Sequence, residues 1–114
     1  MQIESGCFSF EKSVVLNALY DTIDRLGFQL DSANSFRGTL IVSERSAAGR
    51  IRIALDSSVS GNQTQVSILP QGQDSGFFDQ YSKRILEELL KTIQMAQIAG
   101  NHDVETKLFR RRRK

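Results

Sequence analysis

The sequence predicts an α+β fold, an antiparallel sheet of four to five strands in β-α-β-β-β(-β)-α order with one face covered by two helices. Three observations carry that reading. Apolar residues recur at helical spacing near both ends of the chain, they alternate with polar ones through the middle, and short turns separate the alternating stretches.

The elements follow in order. Ile3 to Phe10 is apolar or aromatic at near-alternating places and reads as a strand. From Glu11 the period changes: Val15, Leu19, Ile23 and Leu26 form one helical stripe, and Gly27 accepts the left-handed conformation that closes a helix. Phe28 and Leu30 give a short strand before the turn-forming Ser32-Ala33-Asn34-Ser35. Leu40 and Val42 mark the next strand. Ile51, Ile53 and Leu55 then alternate with Arg50, Arg52 and Asp56, the pattern of a sheet wet on one side. Ser60-Gly61-Asn62 turns the chain, and Thr64, Val66 and Ile68 alternate with Gln63, Gln65 and Ser67 until Pro70, which lacks the ladder donor. Asp74 or Ser75 is the expected N-cap of a last helix with the stripe Phe78, Tyr81, Ile85, Leu89 and Ile93, stopping at Gly100. Lys83, Glu87 and Lys91, with Arg84 and Glu88, form i,i+4 pairs on its outer face. The predicted organisation is one α+β domain over residues 1–100 and a flexible basic tail over 101–114.

The element order, with Gly38 ahead of Leu40 and the run Gly61-Asn62-Gln63-Thr64-Gln65-Val66 before the final helix, resembles the helix-grip and TBP-like group of folds. Small bacterial START- and polyketide-cyclase-like domains and the repeated domains of an outer-membrane assembly lipoprotein look similar. The resemblance is one of architecture and covers residues 1 to about 98. It implies a fold and transfers no active-site residue.

Composition narrows the chemistry. The single cysteine, Cys7, excludes an internal disulfide framework, and the single histidine, His102, excludes HExxH metal sites. Cys7, between apolar neighbours, reads as a buried, inert thiol, and His102, beyond the expected helix stop, as a solvated linker residue. No phosphate-cradling glycine motif is present. No catalytic residue, metal ligand or cofactor is expected. The N-terminus lacks a basic and apolar signal pattern, so a cytoplasmic product is the expectation. Five of the fifteen Lys and Arg residues are Arg110 to Lys114, so residues 1–109 hold ten cations against thirteen acids, a net charge of −3.

Three binding readings follow. The first is a non-enzymatic adaptor that contacts a protein partner through the open sheet face or the tail. The second is a carrier of a small hydrophobic ligand held between sheet and terminal helix by Phe78, Tyr81, Ile53 and Val66, although a chain this size has barely enough apolar side chains to fill its own interior. The third is attachment to nucleic acid or an anionic membrane through Arg110, Arg111, Arg112, Arg113 and Lys114. Arg37, Arg50 and Arg52 add cations to the sheet face, but no aromatics alternate with them, which disfavours base stacking.

Overall fold

The computed structural model describes residues 3–44, 49–72 and 76–110. In chain order the elements are β1 (Glu4–Phe8), α1 (Lys12–Leu26), β2 (Gln29–Asn34), β3 (Thr39–Ser43), β4 (Arg50–Ser57), β5 (Thr64–Gln71) and α2 (Gly76–Arg110). The strands form one antiparallel sheet in the order β1-β5-β4-β3-β2. The fold class is therefore the α+β arrangement that the element order predicts. α2 packs over β1, β5 and β4, α1 reaches β4 and β2, and the two helices pack against each other, so one face of the sheet is covered.

Alternation decides which side chains enter the core. Ile51, Ile53 and Leu55 of β4 and Val66 and Ile68 of β5 are buried, while Arg50, Arg52 and Gln65 are exposed. The register joins these faces: Ile53 stands opposite Ile68 and Leu55 opposite Val66. From the helices Val15, Leu19, Ile85, Leu89 and Ile93 close the same core. α1 ends as expected at Gly27, whose φ of 79° allows the Phe28 N–H to donate back to the Ile23 carbonyl at 3.1 Å.

Several elements depart from the expectation. β2 continues through Ser32-Ala33-Asn34, and the turn falls later, where the Asn34 side chain accepts the Arg37 N–H at 3.0 Å and Gly38 takes a φ of 76°. β5 passes Pro70 to Gln71. The β1 pairing reaches only Glu4↔Ile68, so Pro70 forfeits no bond on that side. α2 continues through Gly100 and His102 to Arg110, because a glycine inside a helix costs only about 1 kcal/mol and ends it only when it turns left-handed. At 35 residues the helix is about 52 Å long. The expected N-caps Asp74 and Ser75 lie outside the described residues.

Cys7 is exposed, correcting the expectation of a buried thiol. Its strand neighbours in register explain why. Cys7 stands opposite the exposed Gln65, whereas Gly6 and Phe8 stand opposite the buried Val66 and Thr64.

Candidate functional site

The covered face of β1 and the neighbouring flank of α2 form an open groove of about 480 Å³, lined by residues 5–10 of the first strand and its exit, and by Leu86, Glu87 and Leu90. Each side has a local cause. Gly6 and Phe8 point to the covered face, with Phe8 buried. Phe10 packs on the core as the chain turns into α1, and its carbonyl is held by the buried Thr64 hydroxyl at 2.9 Å. Leu86 and Leu90 are one helical turn apart beside the buried stripe, and Leu90 is 43% exposed.

The residues expected to line a ligand site fall elsewhere. Ile53 and Val66 are both 0% exposed, at diagonal positions on the covered faces of β4 and β5. Phe78 is buried on α2. Tyr81 is half-buried and stacks edge-on with Phe28 at 5.0 Å and Phe77 at 5.4 Å, while Phe28 and Phe77 meet at 4.9 Å. None of Phe78, Tyr81, Ile53 and Val66 lines the groove. Of the expected polyanion-binding residues, Arg110 is the last residue of α2, and Arg111, Arg112, Arg113 and Lys114 lie outside the described residues.

Leu86 and Leu90 were missed by following a single stripe. Their signal was their spacing, four residues apart and apolar outside the Phe78–Ile93 row. Phe77, one residue before the Phe78 stripe, was missed because its contact with Phe28 joins residues far apart in sequence.

Glu87 stands on the groove wall, and the charged side chains with ionic partners lie elsewhere. On the wet face Arg50 pairs with Asp31 at 3.1 Å, and Ser43 donates to the same carboxylate at 3.2 Å. Glu88 of α2 meets Arg25 of α1 at 3.9 Å and Lys91 of its own helix at 3.5 Å. The Tyr81 hydroxyl is held above its ordinary range, first by desolvation and then by a hydrogen bond to Glu44 and that residue's negative charge. Among the described residues no cluster of His, Cys, Asp and Glu is placed to hold a metal ion, and no helix is long and apolar enough to cross a membrane.

No family model matches this chain, and no curated protein matches it.

Proposed function

We propose that the chain is a non-enzymatic protein-binding module of helix-grip-like architecture. The observation that carries the reading is the position of the apolar groove, outside the sheet-helix core and open to solvent beside an edge strand. Contiguous exposed apolar surface marks protein or membrane interaction sites and ligand grooves, and among the described residues no metal-binding cluster accompanies this one. The carrier alternative is weaker because Ile53 and Val66, placed to line an interior site, are packed at 0% exposure. The helix-grip likeness is supported by the sheet order and by the long terminal helix laid across the sheet. A free, exposed Cys7 suits the reducing cytoplasm.

Cys7 also provides the test, because it lines the groove. A benzophenone maleimide attached there is irradiated in lysate of the source cells. A protein adduct that forms on the full chain and is lost with Leu90→Glu supports the reading. Absence of any adduct, together with a hydrophobic small molecule co-purifying in stoichiometric amount, overturns it in favour of the carrier.

A further inference from the structure

The sheet has two edges, β1 and β2, and they differ. The β2 register shifts between Leu30 and Ser32, and Asp31 at the shift is fixed by Arg50 and Ser43. Bulges and charges of this kind discourage pairing with another strand. β1 pairs with β5 without a shift and contains neither proline nor lysine.

The hydrogen-bonding phase of the sheet identifies the backbone groups that β1 leaves open. Ser58 N–H donates to the Gln63 carbonyl at 2.9 Å. Along the unbroken β4–β5 register, odd-numbered residues of β5 therefore turn their backbone groups toward β4, and Thr64, Val66 and Ile68 turn theirs toward β1. Those three meet Phe8, Gly6 and Glu4. Ser5 and Cys7 consequently direct their N–H and C=O groups away from β5, on the side where the sheet ends.

A strand laid along that edge would place the side chain opposite Gly6 over the groove formed with Phe8, Phe10, Leu86 and Leu90. Gly6 keeps the groove floor at backbone level, since a Cβ there would stand 3.4 Å from the Phe8 ring and 3.8 Å from Leu86. The rim is acidic. Glu87 lines it, and Glu4 stands two residues before Gly6 on the same face of β1. Neither makes an ion pair among the described residues. Lys91 is engaged by Glu88, and Lys12 by the Arg37 carbonyl at 3.2 Å. An inward-facing carboxylate on an edge strand selects against partners that bring no cation to it.

We propose that β1 accepts an extended segment of a partner protein as an added strand, with apolar side chains at alternate positions and lysine or arginine at its ends. This rests on the protein-binding reading above. Main-chain bonds to Ser5 and Cys7 supply the docking, the groove selects apolar side chains, and Glu4 and Glu87 select the flanking charge.

The test titrates a fluorescent peptide, with valine at alternate positions and lysine at both ends, into the full chain. The same peptide with glutamate ends and an isomer with its valines contiguous run beside it. The lysine-ended alternating peptide is expected to bind and to slow amide hydrogen exchange at Ser5 and Cys7, and the contiguous isomer is not. Glutamate ends should weaken binding roughly threefold, the scale of an exposed charge pair. Leu90→Glu, at a position exposed enough to leave the fold intact, should weaken it by about tenfold or more because the new charge is desolvated. Glu87→Lys should reverse the preference for the peptide ends.

No binding, binding indifferent to Leu90→Glu, or protection along β2 overturns the proposal. Protection at Ser5 and Cys7 that grows with chain concentration alone makes the occupant a second copy and also overturns it. A Leu90-dependent cross-link from Cys7, with peptides that do not bind, removes strand addition and leaves the protein-binding reading standing.

Discussion

The hydroxyls of Thr22 on α1 and Thr92 on α2 meet at 3.0 Å where the two helices pack together, both of them buried. Each hydroxyl also lies 2.8 Å from a carbonyl of its own helix, Thr22 from that of Ala18 and Thr92 from that of Glu88, so its proton serves either that carbonyl or the other threonine. A hydroxyl has one proton, so only one of the pair can donate across the seam at a time. Arg25 donates to the Thr92 hydroxyl as well. Thr92 is thus the shared acceptor, and Thr22 is the more dispensable partner.

That asymmetry predicts unequal costs. Thr92→Val removes one acceptor from Arg25 and leaves the buried Thr22 hydroxyl only the Ala18 carbonyl, and should cost about 1–2 kcal/mol, whereas Thr22→Val leaves Thr92 with Arg25 and the Glu88 carbonyl and should cost under about 1 kcal/mol. The double variant should cost less than the sum, by about 0.5 kcal/mol or more. Urea denaturation of the three variants decides it. Strict additivity would mean that the hydroxyls do not interact.

Helix-on-sheet packing predicts a larger contrast on α2. Ile85 is fully buried against the sheet, and Ile85→Ala should cost about 2–4 kcal/mol through the cavity it leaves. Lys91 has a side chain 66% exposed and one i,i+3 ion pair to Glu88, so Lys91→Ala should cost under about 0.5 kcal/mol. Equal denaturation midpoints would contradict the packing described here.

The contrast between Ile85 and Lys91 was readable from the sequence, and so was the burial of Ile51, Ile53, Leu55, Val66 and Ile68. In each case a strict local period ties the fate of one residue to that of its neighbours. β1 was less readable because Ile3, Cys7, Phe8 and Phe10 offer apolar residues on both parities. Its orientation comes from pairing with β5, more than fifty residues later in the chain, and that long-range register is what exposes Cys7. Ser32 to Asn34 read as a turn by composition, yet β3 pairs with them. The groove depended on both effects at once. Its floor is the even-numbered face of β1, and its wall is a pair of leucines outside the main stripe of α2. No local pattern brings those two together.

Gly38 carries a further prediction. Its φ of +76° lies in the left-handed region, and an added Cβ would collide with Lys12 Cε and stand 3.2 Å from the Leu55 carbonyl oxygen. The lysine can swing aside, but the carbonyl accompanies a backbone already fixed by Leu55 N–H donating to the Gly38 carbonyl at 2.8 Å. Gly61 has a similar φ of +80° with nothing within 4 Å of its Cβ position. Gly61→Ala should therefore cost about 1 kcal/mol of backbone strain alone, and Gly38→Ala about 1 kcal/mol more. Adding Lys12→Ala to Gly38→Ala should recover only part of the difference, as measured by thermal or urea unfolding. Full recovery would assign the clash to the lysine alone.

Tyr81 links the ring cluster to pH. Packing beside Phe28 and Phe77 desolvates its hydroxyl, Glu44 accepts its proton in a hydrogen bond and adds a negative charge, and Arg84 offsets these in part. All but the last favour the neutral phenol, so the folded chain holds this proton above the ordinary value of 10.0. The sign for stability follows. Below 10.0 both folded and unfolded chains keep the proton and the contribution is fully present. As pH rises, the unfolded chain releases its proton first, and the contribution disappears as pH passes through the raised folded value. Tyrosinate absorbance of a Tyr20→Phe variant, in which Tyr81 is the remaining tyrosine, should show the late titration. Glu44→Ala should move it down toward 10.0 without reaching it, because desolvation by the rings remains. An unchanged midpoint in Glu44→Ala would assign the whole shift to burial, and a midpoint at the ordinary value would assign it all to Glu44.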